Sequence, residues 1–300
     1  MTSTQAATDA PTRAEKTAAL LAKLKQGVAA IVTGDDWKRM LAMQSRFHSY
    51  SFRNVIAIVM QQPGATRVAG FQAWKAMGRS VKKGEKGIAI LAPCVRKAEA
   101  SEGSADEAGE GRGSRMFFRV AYVFDVSQTE GDPLPSVATT LAGDDEAAAA
   151  TFDRLRAFAE EKLGIPVSFE PMPGGAHGYL SRIERRIAIC EGLSPLQSAK
   201  TLAHEIAHAV LHLDEKDSHE RTVMEVEAES TAFVVLDALG FDTSAYSFGY
   251  VAGWSDAAEN TPDPIGKAGA NVARASKVIL DALLDDNDDD VVDEDAAHAA

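Results

Sequence analysis

His204 and His208 stand four residues apart with Glu205 between them, the spacing H-E-x-x-H inside Thr201-Leu-Ala-His-Glu-Ile-Ala-His-Ala-Val-Leu-His212. On a helix, residues i and i+4 lie one turn apart on the same face, so both imidazoles can reach one metal ion. Glu205 lies along an adjacent line, where its carboxylate can take a proton from an attacking water without filling a coordination position. The chemistry this set can perform is metal-assisted hydrolysis, with one Zn2+ per chain and Glu205 as the catalytic base. A catalytic zinc takes three protein donors, so a third must come from elsewhere. His212 is eight residues from His204, roughly 12 Å along the axis, and cannot share that ion. Downstream, Val223-Met-Glu-Val-Glu-Ala-Glu-Ser-Thr-Ala-Phe-Val-Val-Leu236 carries three glutamates in a second helical run. Glu225 and Glu229 share a face, and either can supply the third donor. Glu227 is about 200° from Glu225 and reads as a solvated surface charge.

The flanks supply the elements that must hold these side chains. Ser194-Pro-Leu-Gln197 has the form of a capping box, with Ser194 as N-cap, Pro195 at the first helical position and Gln197 reaching back. Leu196, Ala199, Leu202, Ala203, Ile206, Val210 and Leu211 then recur at three- and four-residue spacing and predict one buried stripe. Ile187-Ala-Ile-Cys190, just before this helix, reads as a strand.

A second constellation lies near the N-terminus. The chain of 300 residues carries a net charge of −13, yet residues 281–300 alone hold nine acidic residues and no Lys or Arg, leaving −4 for the rest. Between 33 and 100, twelve Lys or Arg face only Asp35, Asp36, Glu85 and Glu99, a local balance of +8. A basic segment on an acidic protein is the electrostatic footprint of a polyanion site. Aromatic side chains are interleaved with it: Phe47, Tyr50, Phe52, Phe71 and Trp74 among Arg46, Arg53, Arg79, Lys82, Lys83 and Lys86, with Asn54 able to read a base edge or cap a helix. Single strands are held by such a groove, with bases stacked on aromatic rings at roughly 1–3 kcal/mol each. Phe52 and Phe71 are each equally suited to packing.

These strings resemble known families. H-E-x-x-H on one helix with E-x-x-x-E on the next is similar to the gluzincin metallopeptidases, the thermolysin-like and ImmA/IrrE-like enzymes among them. The resemblance implies Glu225 as metal ligand and Glu229 as the carboxylate that orients a ligand histidine, although Glu229 stands where many relatives have Asp or Asn. In those folds a strand placed like Ile187–Cys190 forms the sheet edge to which a peptide substrate adds. Arg46-Phe-His-Ser-Tyr-Ser-Phe-Arg-Asn54, Val68-Ala-Gly-Phe-Gln-Ala-Trp74, Gly78-Arg-Ser-Val-Lys-Lys-Gly-Glu-Lys-Gly-Ile88 and Val123-Phe-Asp-Val-Ser-Gln128 resemble the N-terminal single-stranded-DNA-binding domain of ArdC-type antirestriction proteins. That family places a gluzincin-like domain after it. The resemblance implies a single-strand-binding antirestriction protein with a zinc peptidase site, protecting incoming plasmid or phage DNA and acting on a protein or peptide substrate. Two other readings use the same residues: a regulatory metallopeptidase that cleaves a DNA-bound repressor, and a non-enzymatic DNA-binding protein clipped by structural zinc.

The expected fold class is α+β: an N-terminal DNA-binding domain of helices and a small antiparallel sheet, then a mostly helical gluzincin-like domain with a small sheet. The expected divisions are a disordered lead over 1–14, the DNA-binding domain over 15–130, a linker over 131–144, the metallopeptidase-like domain over 145–284 and an acidic disordered tail over 285–300. Residues 98–114, rich in Gly, Ser, Ala and acidic side chains, read as an acidic hairpin loop without fixed structure. No apolar run reaches the 18 residues of a membrane span, the first residues lack the order of a signal peptide, and the two cysteines, Cys94 and Cys190, read as core thiols. Together these predict a cytoplasmic protein with no membrane partner.

Overall fold

The computed structural model describes residues 11–96, 115–134, 145–172, 174–214, 221–243 and 263–284. The loop 98–114, most of the linker 131–144, the first ten residues of the lead and the tail 285–300 lie outside these. Residues 13 and 14, expected in the lead, already belong to the first helix, α1 (Arg13–Ala29). The fold class is the expected α+β, and no described helix is long and apolar enough to cross a membrane.

Two compact units separate among the described residues: 11–26 with 57–132, and 27–56 with those from 133 onward. This division differs from the sequence-based one, which grouped 27–56 with the DNA-binding half. The reason is apolar. Helix α2 (Gly34–Arg46) opens on a reciprocal cap in which Thr33 Oγ1 accepts from the Asp36 N–H and Asp36 Oδ2 accepts from the Thr33 N–H. The Thr33 hydroxyl and amide thereby hold the Asp36 carboxyl down at about 2. The buried face of α2 carries Trp37 and Leu41, both 0 % exposed, and it packs on α7 (Arg221–Ala238). There the Trp37 indole N–H donates to Ser230 Oγ at 2.9 Å, and Ser45 Oγ donates to Asp237. Phe52, at the start of α3 (Phe52–Gln61), lies 5.7 Å from the Trp37 ring and flat against Gly269, where any Cβ would meet it at 2.3 Å.

The rest of this unit surrounds the H-E-x-x-H helix, α6 (Pro195–His212). Ser194 caps it as expected, accepting from the Gln197 N–H at 3.3 Å, but the Gln197 side chain does not reach back; its amide meets His177 and Thr201 instead. Leu202, Ala203 and Ile206 share one core with Leu155 of α5 (Asp145–Ala157), Val235 of α7 and Ile279 and Leu280 of α8 (Pro264–Leu284). Beyond α5 the expected helix widens into a π-turn over Phe158–Lys162 before Gly164 at φ 66° ends it. The sheet runs in the order β6 (Val167–Glu170), β8 (Arg186–Cys190), β7 (Gly178–Ser181), with β6–β8 parallel and β7–β8 antiparallel. Ile187–Cys190 is therefore the central strand and not the edge that the family resemblance implied. It is flanked on both sides because Ile187, Ala188 and Ile189 are all fully buried. Cys94 and Cys190 are half-buried, not core thiols.

In the other unit, β1 (Val68–Gly70), β4 (Arg115–Asp125) and β3 (Ile88–Arg96) form an antiparallel sheet in the order β1-β4-β3, and β2 (Arg79–Val81) pairs with β5 (Thr129–Gly131). One face of the three-stranded sheet, with Ile88, Ile90, Ala92 and Val123, is buried, as strand alternation requires. Trp74 of the short helix α4 (Phe71–Ala76) is 0 % exposed, and its indole N–H donates to the Phe124 carbonyl at 2.8 Å.

Asp125 closes β4. Its Oδ1 accepts from the Thr66 and Arg67 N–H groups and its Oδ2 from the Ser127 N–H and hydroxyl, at 2.6–3.1 Å. Burial opposes its charge, but these bonds outweigh burial and hold its carboxyl below the ordinary range. With a depressed folded pKa, its contribution is complete at neutral pH and is lost as pH falls through the ordinary carboxylate range toward the folded value. Asp125→Ala should cost about 3 kcal/mol by chemical denaturation at neutral pH, since buried donors lose their acceptor at roughly 1–3 kcal/mol each. The gap from wild type should narrow in acid.

Candidate metal centre

Helix α6 presents His204 and His208 on the side away from its core stripe, and α7 brings Glu225 across to them. His204 Nε2 and His208 Nε2 are 3.1 Å apart, and Glu225 Oε2 lies 3.4 Å from the first and 3.6 Å from the second. Donors at about 2.0–2.1 Å in a tetrahedral shell stand about 3.3 Å from one another, so these three atoms fit one divalent ion. Two neutral imidazoles and one carboxylate are also the donor chemistry of such a site. Burial, then the neighbouring charges of His204, His212 and Arg182, push His208 down to about 3, which keeps its ring neutral. Glu225 is 51 % exposed at its side chain, so the third donor stands on the open side.

Glu229 does not enter this triangle. Its Oε2 meets His204 Nδ1 at 3.2 Å, and its Oε1 meets Lys200 Nζ at 3.1 Å. Burial opposes the Glu229 charge, but His204 and Lys200 outweigh burial and lower its pKa. Burial likewise opposes a charge on His204, yet Glu229, Glu205 and Glu225 raise its pKa overall. Glu229 thus stands behind the His204 ring, on the side away from the triangle, where a carboxylate can orient an imidazole.

Glu205 lies between the histidines on α6, 8 % exposed. Burial first, moderated by the charge of His204 and reinforced by Glu225, pushes its carboxyl up to about 7. The Leu180 main-chain N–H of β7 donates to it, which ties the base to the outer strand of the sheet.

Two residues were misjudged or unused in the sequence. Glu227, expected to be a solvated charge, is 1 % exposed. Its Oε2 lies 2.9 Å from His212 Nε2, and its Oε1 accepts from Asn271 Nδ2 at 2.9 Å. His212, correctly kept out of the donor set, is 3.3 Å from His208 through the two Nδ1 atoms. The repeat of i, i+4 spacing through 204, 208 and 212 was the available signal for His212.

The DNA-facing candidates fare unevenly. Phe47 is 3 % exposed and meets Tyr50 edge-on at 6.4 Å; Tyr50 is half-buried and Asn54 buried. Trp74 is core. These aromatics were expected to stack on bases, but each is consumed by packing. Arg79 is half-buried and spends its guanidinium on Thr129, Gly131 and Asp132 across the β2–β5 pair. Arg46 and Arg53 are exposed, with Arg53 3.5 Å from Asp263. Arg46 to Asn54 belong to the second compact unit, whereas Trp74 to Lys86 belong to the first. Lys82, Lys83 and Lys86 are exposed, with Lys82 Nζ donating to the Ser127 carbonyl at 2.9 Å. In the same unit, β4 alternation puts Met116, Phe118 and Tyr122 on the face opposite the buried one, where the two rings are 55 % and 51 % exposed. Phe71 is also exposed, at 53 %. Met116 to Phe124 is apolar on both faces apart from Arg119, so the sequence carried no signal for which rings point outward.

With this geometry in place, two family models match the chain: the N-terminal domain of anti-restriction factor ArdC over residues 10–124, and the IrrE N-terminal-like domain over residues 160–248. An uncharacterized protein of Bacillus anthracis is 26 % identical over 257 aligned residues, covering 74 % of this chain and 43 % of the relative. The chain therefore spans less than half the length of that curated relative. Among solved structures, it is similar to the antirestriction ArdC protein from the R388 plasmid in its metal-free form (TM-score 0.44) and its Mn(II)-bound form (TM-score 0.47). Each is 20 % identical and aligns over 78 % of this chain and 85 % of the other.

Elemental analysis should find one divalent ion per chain, absent from His204→Ala and His208→Ala. Glu225→Ala should lose the metal outright, whereas Glu229→Ala should retain it with affinity reduced about 10–100-fold. The reverse order would exchange the roles of the two glutamates.

Proposed function

We propose that this chain, which matches the N-terminal domain of anti-restriction factor ArdC over 10–124 and the IrrE N-terminal-like domain over 160–248, is an ArdC-type antirestriction protein that binds single-stranded DNA and hydrolyses a peptide bond at a zinc site. Protection of incoming mobile-element DNA is the role in which the two activities meet. The observation that carries the hydrolytic half is the His204, His208 and Glu225 triangle with Glu205 beside it and outside it. A structural clip needs no base, so Glu205 favours catalysis over the structural-zinc reading.

A zinc ion held by the triangle would supply Lewis-acid polarisation of the scissile carbonyl. Glu205, raised by burial into the neutral range, takes a proton from the attacking water and returns it to the departing amine. Strand β7 pairs with β8 on one side and reaches Glu205 through Leu180, so a substrate segment added along it in extended form would run past the base. Glu229 and Lys200 keep the His204 ring in place while this happens.

For DNA, support comes from the exposed cations Lys82, Lys83 and Lys86 and from the outward rings Phe118 and Tyr122 in the same unit. Cations meet phosphates, and rings accept bases without sequence preference.

Glu205→Gln should keep metal and fold while abolishing cleavage in a peptide-library digest; normal cleavage by that variant would remove Glu205 as the base. Fluorescence anisotropy with a labelled oligonucleotide should show binding that weakens steeply with salt, at a log–log slope of about −0.7 per phosphate contact. Replacing Lys82, Lys83 and Lys86 with Ala should flatten that slope. Phe118→Ala and Tyr122→Ala should each weaken binding by roughly 1–3 kcal/mol with the slope unchanged. Equal affinity for duplex, or indifference to all five substitutions, would remove the single-strand reading.

A further inference from the structure

The metal triangle accounts for one nitrogen of His208 and leaves Nδ1 to be explained. That atom faces His212 Nδ1 at 3.3 Å; His212 Nε2 faces Glu227 Oε2 at 2.9 Å; Glu227 Oε1 accepts from Asn271 Nδ2 at 2.9 Å. His212 and Glu227 are 2 % and 1 % exposed, so the middle of this line is buried, between a half-buried His208 and a half-buried Asn271. It also joins three helices, α6, α7 and α8, none of which contributes any other residue to it.

We infer that Glu227, His212 and Asn271 form a buried relay that fixes His208 as the metal-binding tautomer and positions its ring. Proton counting requires it. Two ring nitrogens in contact share one hydrogen, so one Nδ1 donates and the other accepts. If His208 Nδ1 accepted, its remaining proton would sit on Nε2, the atom at the triangle, and the ring could not be a ligand. His208 Nδ1–H therefore donates to His212 Nδ1, which puts the His212 proton on Nε2, where Glu227 Oε2 receives it. The Asn271 amide N–H takes the other Glu227 oxygen, so both His212 nitrogens and both Glu227 oxygens are each used once. A carboxylate this deeply buried is costly unless paired and hydrogen-bonded, and here both oxygens are. Reversing the line would place the Glu227 carboxylate against an unprotonated His212 nitrogen, two acceptors in contact with no water to separate them.

The two ligand histidines are thus held differently. His204 has a carboxylate directly at its Nδ1 and a lysine behind it, near the surface. His208 has a histidine between it and its carboxylate, deep in the helical core. Glu227, His212 and Asn271 touch neither substrate nor metal; they are positioning residues, and the inference rests on the metal reading above.

The test uses the full chain and Zn2+. Long-range proton–nitrogen spectra of the zinc-loaded protein should show His212 as the Nε2–H tautomer; the Nδ1–H tautomer overturns the relay. Zinc affinity by chelator competition should fall about 10–100-fold in His212→Phe and in Glu227→Gln. The paired change His212→Phe with Glu227→Leu replaces the buried polar groups with apolar ones of similar bulk, so unfolding of the metal-free protein should return toward wild type while zinc affinity stays low. Recovery of affinity together with stability would mean the line serves packing alone and overturns the relay. Absence of zinc binding by the wild-type chain overturns the metal site and the relay together, whereas wild-type affinity in both single variants overturns the relay alone.

Discussion

Four residues of α-helix advance about 6 Å and come back to nearly the same azimuth, and that periodicity sets the geometry of this centre. It stacks His204, His208 and His212 in a column on α6, and each ring finds its carboxylate on α7: Glu229 behind the first, Glu225 across the first and second, Glu227 beyond the third. The two helices are antiparallel partners in one core, so 225, 227 and 229 meet the column at three levels. Glu227 is sealed inside the protein, Glu229 is half-buried and Glu225 opens to solvent.

What could be read from the chain follows from this. H-E-x-x-H, the Ser194 cap and the apolar stripe of α6 are local signals, set by spacing along one helix, and the structure bears out the helix they imply. The role of Glu227 is not local. Its azimuth relative to Glu225 follows from the helix, but α7 is apolar on nearly every side, from Ala228 and Ser230 to Leu236, so pointing away from Glu225 leads into the core and not to water. Reading polar as exposed fails on a helix that is buried on nearly every side beyond its first turns. His212 shows the complementary limit: axial distance correctly removed it from one ion, but distance from His204 said nothing about its nearness to His208.

The aromatic residues show the same limit in the other unit. Composition marks rings among cations but cannot say which are needed to fill a core. Phe47 and Trp74, the most suggestive by position, are the ones that packing takes. The exposed rings fall on β4, where period-two alternation sorts Phe118 and Tyr122 from the buried Val123 without reference to charge. The compact units differ from the divisions drawn from linkers for a related reason, since Trp37 and Leu41 are bound by where their apolar faces close and not by which segments follow them in sequence.

The closure of Trp37 on Ser230 spans 193 residues of sequence. During synthesis at about 5–20 residues per second, α2 leaves the ribosome roughly 10–40 seconds before the helix that covers it exists. Through that interval the Trp37 and Leu41 face lacks the helix that covers it in the folded chain. Helix α7 thus both brings Glu225 to the metal centre and covers the Trp37 face of α2.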